Sequence, residues 1–432
     1  MIVKKTFTSI IIVVISVIAG SLLLFGSYHL PTDRMVNNIK KAVPIYQQEG
    51  LYPKWTGKNE SSQLDNWTDA LMLLTAIYPN SKSPYKDAML NPKHDNESNP
   101  VESLLKELKG VKSNATSIYP RYWHGYLVFL KPLTMAFDIS YIRLLNMLMQ
   151  MLLAAYLIAC IGCHIGKGFG LSIFLSYLLL NPVSLAMSFQ FSTMFYITSF
   201  ISVLLLNNVD YLSKTGNAFY LFLISGILTA FFDLLTYPIV SLAIPLILFL
   251  LAFGLDNKFS KLFDAIQNIL GSSIFWGIGY GGMYIGKWLM VWQLTGYNVV
   301  TDAFSQLVYR MSHHTTAYEG KLLISPIKAI SRNFQVILHE PTIVILVIIL
   351  IISLWQLFKL SKSSKLHNYS ILKCALGTVA MYPIVWYIVF CNHSYVHFWF
   401  TYRALSVVVF AVGSIIATTF LEYQEKKFHI LP

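Results

Sequence analysis

Apolar blocks long enough to span a bilayer alternate with short polar connections along most of this chain. A membrane-spanning helix needs about 20 mostly apolar residues. By that measure about ten spans are predicted: 6–28, 139–163, 168–187, 190–207, 217–232, 236–254, 267–291, 340–358, 370–390 and 402–420. Tight hairpins are expected around Pro182 to Gln190 and around Asp233. Two connections are large, 30–138 and 293–340, and a third, Cys391 to Tyr402, is short but rich in polar and aromatic residues. The large connections carry helical patterns of their own. "DRMVNNIKKAVPIYQQ" is amphipathic, and "DNWTDALMLLTAIY" with the preceding residue sets Leu64, Leu71, Leu74 and Ile77 near helical spacing. "RYWHGYLVFLKPLTMAF" and "SPIKAISRNFQVIL" are apolar but interrupted, and are expected to lie along the membrane surface. The expected fold is an all-α polytopic membrane protein, one integral domain over 1–432.

Composition agrees. The 432 residues are 55% hydrophobic and only 12% charged, about half the charged share of soluble domains. The net charge of +12 does not point to nucleic acid, because the cations are scattered and form no basic domain. With the N-terminus inside, each short inside connection carries lysine: Lys4 and Lys5, Lys167, Lys214, Lys258 and Lys261, Lys359 with Lys362 and Lys365, and Lys426 with Lys427. The short outside connections 187–190 and 232–236 carry none. This is the positive-inside pattern, with both termini cytoplasmic. The first apolar run extends to about Phe25 and lacks a small-residue cleavage site, so it reads as an uncleaved first span.

Four cysteines are too few for a disulfide framework. "CIGCH" at 160–164 matches a haem-attachment spacing, but it ends an apolar helix on the inside face and reads as packed thiols with an interfacial His164. No P-loop, dinucleotide glycine pattern or nucleophile elbow is present, which argues against ATP-driven chemistry.

The polar residues that remain gather on the outside face. In "LDNWTDALML", Asp65 and Asp69 stand four apart and share a helix face, unless Asp65 is the N-cap and Asp69 the free carboxylate. Leu64, Trp67, Ala70 and Leu71 surround them, and apolar burial turns a carboxylate into a usable base. Asp233 is a lone acid at a hairpin tip, a site candidate or a helix cap. "CNHSYVHFWFTYR" sets His393 and His397 at i, i+4 ahead of Arg403. No third metal ligand accompanies them, so phosphate or sugar is favoured over metal. Arg121, His124, Arg143 and Lys287 are expected at the same level, suited to phosphate or simply snorkelling. His313, His314 and Glu319 read as loop.

This layout resembles the GT-C class of polytopic glycosyltransferases, which use lipid-phosphate sugar donors. The likeness is architectural and spans the chain. "DRMVNNIKKAVPIYQQEGLYP" is similar to that class's juxtamembrane helix, and "YPRYWHGYLVFLKPLTMAFDISYIRLLNMLM" to its surface helix followed by the arginine that opens the second span. "LDNWTDALML", "RYWHGYLVFLKPL", "FFDLLTYP" and "HFWFTYR" more closely resemble a group of uncharacterised bacterial multipass proteins. Two departures stand out. Asp33 is followed by Arg34 where the class often has paired acids, and "SFQFS" places Gln190 where an acid is common.

The resemblance implies inverting transfer from a polyprenyl-phosphate sugar to a cell-envelope glycan, lipid or protein on the extracytoplasmic face. It implies a carboxylate base, Asp69 or Asp65 with Asp33 behind them. Asp233, Arg121, His124, Arg143, Lys287, His393, His397 and Arg403 are the implied donor- or acceptor-binding residues. No cofactor is implied, and a divalent metal is not supported. The alternatives are a flippase or transporter of the lipid-linked sugar, which would show internal repeats and midplane polar groups, and a non-catalytic envelope-assembly protein.

Overall fold

The computed structural model describes residues 2–79, 81–95, 99–111, 115–255, 261–317, 322–338, 344, 348 and 369–429. Its regular structure is almost entirely helical. Five helices are long and apolar enough to cross a membrane: Lys5–Ser27, Ile139–His164, Phe189–Asn207, Ser370–Val389 and Phe398–Glu422. The expected ten therefore reduce to five among the described residues, and these mark the chain as a multi-pass membrane protein.

The difference has several causes, and one is a break that an apolar window does not register. Within 168–187, the helix Lys167–Leu179 stops, Asn181 takes φ +56°, and Pro182 opens a second helix, Pro182–Met187. The expected spans 217–232 and 236–254 become Ala218–Phe232 and Val240–Gly254, 15 residues each, about 22 Å at 1.5 Å per residue. The window 267–291 sits inside Leu262–Thr295, which is 34 residues long. That helix carries six glycines, two serines and Lys287, so it is long enough but less apolar than the five. The expected span 340–358 and the lysine cluster 359–365 lie outside the described residues, apart from Val344 and Ile348.

In chain order, α1 is Ile2–Ser27, α2 Asp33–Lys40, α3 Val43–Glu49, α4 Asn66–Ile77, α5 Pro84–Leu90, α6 Pro100–Leu108, α7 Leu127–Ala136 and α8 Ile139–His164. Next come α9 Lys167–Leu179, α10 Pro182–Met187, α11 Phe189–Asn207, α12 Val209–Thr215, α13 Ala218–Phe232, α14 Val240–Gly254, α15 Leu262–Thr295, α16 Val300–Met311 and α17 Pro326–Leu338. Side-chain caps start several of them. Asp65 Oδ1 accepts from Thr68 N at 3.0 Å, Asn99 Oδ1 from Glu102 N at 2.9 Å, and Asp138 Oδ1 from Tyr141 N at 3.2 Å. A short antiparallel pair, Pro92–His94 with Thr116–Ile118, closes the loop between α5 and α7.

The segment between α1 and α8 is a folded layer, not an open loop. It packs on the ends of α1, α13 and α15, burying Met35, Ile39, Leu73, Leu104 and Trp123. A second core fills the bundle of α8, α9, α11, α14 and the C-terminal helices. Phe189 belongs to the first core and Phe191 to the second, so the start of α11 is the seam between them. Part of the expected surface helix is interior: Trp123 is fully buried and its Nε1 donates to Met283 O at 2.8 Å.

Helices α13 and α15 touch backbone to backbone. A Cβ on Gly226 would lie 2.1 Å from Trp276 O, and one on Gly279 would lie 2.1 Å from Leu223 O. Small residues at such crossings let helices approach closely. Gly226→Ala or Gly279→Ala is expected to force the pair apart and cost about 1–3 kcal/mol. A lowered melting temperature in detergent is the readout.

Candidate functional site

Asp65 and Asp69 lie at the seam, and both are buried. Asp65 is the N-cap of α4, as one of the two sequence readings had it. Its Oδ2 accepts from Thr68 Oγ1 at 3.1 Å and also from Gln190 Nε2. Its own amide donates to Ser188 Oγ at 3.1 Å. One turn on, Asp69 Oδ1 accepts the Phe189 amide at 3.0 Å, the first N–H of α11. Its Oδ2 has no hydrogen-bond partner. The two acids thus bind two helix N-termini, one each. Burial raises Asp65 to about 6, against the lowering pull of Thr68, Gln190 and the Arg403 charge. Burial also raises Asp69 well above the usual carboxylate range, and the neighbouring Asp65 adds to the rise while Arg143 opposes it.

Two arginines flank the pair, and neither snorkels. Arg143 grips Glu49 with both terminal nitrogens, Nη1 to Oε1 at 2.8 Å and Nη2 to Oε2 at 3.1 Å, and Nη2 also reaches Asn66 Oδ1 at 3.1 Å. Glu49 and Arg143 open onto a cleft of about 550 Å³ between α3 and α8, bounded by Gln48, Pro53 and Met187. Arg403 is fully buried. Its Nε donates to Leu180 O at 3.0 Å, Nη1 to Trp399 O at 3.0 Å and Nη2 to Ser184 Oγ at 2.9 Å, with the guanidinium 4.1 Å from the Phe191 ring centre.

The histidine motif lies beyond Arg403. The His393 and His397 rings are 4.9 Å apart, and His397 lies 5.3 Å from Trp399. Trp399 in turn meets Tyr52 at 5.6 Å, and Tyr52 stands near Asp65. Arg310 Nη1 donates to His393 Nδ1 at 2.6 Å. Burial first, and the Arg310 charge second, lower His397 to about 3 and His393 well below its usual range, so both rings are neutral at physiological pH.

The remaining candidates stand elsewhere. Asp33 is exposed at the first turn of α2. Asp233 caps its own turn, accepting from Thr236 N at 2.9 Å and from Thr236 Oγ1. Arg121 pairs with Asp302 at 3.1 Å. His124 is held between Tyr126 Oη and Tyr119 O, each at 2.8 Å, and burial lowers it to about 3. Lys287 donates to Ala88 O at 3.0 Å and Asn91 Oδ1 at 3.1 Å. The Tyr126 beside His124 lies against Thr75, ten residues along α4 from Asp65 and so about 15 Å away. The cations thus fall into separate groups instead of one phosphate ring. His313 and His314 sit in the turn and strand after α16, and Glu319 lies outside the described residues.

Glu49, Ser184, Ser188 and Arg310 join the site without having been singled out in the sequence. Glu49 had a local signal, the acid just before the "GLYP" turn. The others meet the site only through contacts between residues far apart in the chain. No protein-family model, curated protein or solved structure matches this chain.

Proposed function

We propose that the chain is a membrane glycosyltransferase of GT-C type, moving a sugar from a polyprenyl-phosphate donor to a cell-envelope acceptor on the extracytoplasmic face. The observation that carries this reading is the buried acid pair at the seam, flanked by Arg143 and Arg403 and connected through Tyr52 and Trp399 to the histidine cluster. Asp65 is the base. It ionises before Asp69, because it has three hydrogen-bond donors and Arg403 nearby, whereas one Asp69 oxygen has no donor. Asp65 takes the proton of the acceptor hydroxyl. The oxygen attacks the anomeric carbon, the bond to the phosphate oxygen breaks, and that oxygen leaves with the electron pair as lipid phosphate, inverting the centre. Asp69 holds α11 and Gln190 in place.

A second reading has its own observation. Each acid satisfies a helix N-terminus, which is sufficient structural work for a non-catalytic assembly protein. Purified protein given radiolabelled polyprenyl-phosphate sugars and an acceptor panel separates the readings. Release of polyprenyl phosphate supports transfer. Donor binding and translocation without release supports the flippase, and no interaction with the donor supports the assembly role.

A further inference from the structure

The cleft between α3 and α8 has a chemistry of its own. Its volume of about 550 Å³ falls within the range of about 300–1,000 Å³ usual for small-ligand sites. Its charges cancel. Glu49 takes both terminal nitrogens of Arg143, and Asn66 Oδ1 takes a further bond from Nη2. Arginine holds an anion best through two parallel N–H groups, and here no such pair is left open. The phosphate role expected of Arg143 therefore has no free fork to perform it.

The rest of the lining is neutral. Gln48 and Ser140 are exposed, and their amide and hydroxyl can each donate and accept. Ile45, Pro53 and Met187 supply apolar wall between them. Next to Arg143 stands Tyr46, within reach of the charges of Glu49 and Asp69 as well. Tyr46 Oη and Arg143 Nε are both buried without a hydrogen-bond partner among the described residues. Buried polar groups are almost always satisfied, and a hydroxyl serves both, because it accepts from Nε and exchanges a bond with Oη. A cleft without net charge, polar at a few points and apolar between them, matches a sugar ring, whose hydroxyls radiate from an apolar C–H face. An acyl chain would leave those polar points unmet. The cleft also borders the acids. Met187 precedes Ser188, whose Oγ takes the Asp65 amide at 3.1 Å, and Asn66 follows Asp65.

We propose that the α3–α8 cleft is a binding site for an uncharged glycan. Gln48 and Ser140 bond its hydroxyls, and the Glu49–Arg143 pair turns acidic sugars away by leaving no cation open to them. Naming that glycan the acceptor rests on the transfer reading, whereas its binding does not.

The test is retention of the full-length protein in nanodiscs on a panel of immobilised oligosaccharides, some neutral and some containing uronic acids, with no lipid-linked donor present. Retention on neutral members is expected. Gln48→Ala should weaken it about fivefold, the loss of one hydrogen bond. Ser140→Trp should abolish it by filling the cleft. Both residues are exposed, so both variants should melt at the wild-type temperature. Glu49→Gln leaves the Arg143 charge unpaired and should add retention on the acidic members. Retention of the wild type on no member, or on the acidic members alone, would overturn the site, and so would unchanged binding by Ser140→Trp. Neutral-glycan binding without release of polyprenyl phosphate from any donor leaves the site standing and overturns transfer. Release to a glycan acceptor that Ser140→Trp does not slow would overturn the acceptor role of the cleft and leave transfer standing.

Discussion

Asp65→Asn is expected to lower sugar transfer by about 10²–10⁴-fold, the usual contribution of a positioned general base, while the protein stays folded. Asparagine caps helices as well as aspartate does, so its carbonyl can still accept from the Thr68 amide. The Gln190 amide can turn its oxygen toward the new NH₂ group. What disappears is the charge and the ability to take a proton. The wild-type rate should rise with pH through about 6, where Asp65 loses its proton. Stability should run the other way. The folded-state value lies above the unfolded one of about 3.9, so burial favours the neutral acid. That contribution is complete below about pH 4 and is lost as pH rises through about 6. Asp65→Asn removes this pH-dependent part of the stability, and thermal melts across that window measure it.

Arg403→Ala is expected to be the most damaging change to the fold, costing about 3–5 kcal/mol, as removal of one partner from a buried charge arrangement does. Three acceptors at 2.9–3.0 Å, Leu180 O, Trp399 O and Ser184 Oγ, lose their donor together. Asp65 loses the charge that opposes its desolvation. The cavity would open at the Asn181 break between α9 and α10, where the helix end already depends on side-chain bonds. Thermal unfolding in detergent is the measurement, and Arg403→Lys should recover only part, because lysine lacks the guanidinium's fork.

The helical character and the apolar blocks were legible in the sequence because each is local. Asp65 and Asp69 stood out as acids in an apolar setting, and the cap reading of Asp65 follows from its place before Asn66. Helix breaks were harder to read. Asn181 in a left-handed conformation interrupts a window that remains apolar throughout, and the helices on either side of Asp233, where a hairpin was expected, are only 15 residues each, so fewer helices among the described residues are long and apolar enough to span. Partners were not legible. Glu49 finds Arg143 across 94 residues, Gln190 finds Asp65 across 125, and Arg403 reaches Leu180 across 223. Gln190, which read as a departure from the glycosyltransferase pattern, donates to the acid itself. Lys287 and His124 looked like phosphate ligands because a lone cation near an interface carries no local sign of its partners. In the fold, both are satisfied by carbonyls and side chains of the folded layer between α1 and α8.

The most direct test of the acid pair as a catalytic site is the rate of polyprenyl-phosphate release from a labelled donor by wild type and by Asp65→Asn, compared at matched melting temperature. Release by the wild type, rising through about pH 6, and loss of it in the variant are expected. Equal release by both proteins would remove Asp65 from the chemistry and leave the pair as the caps of α4 and α11.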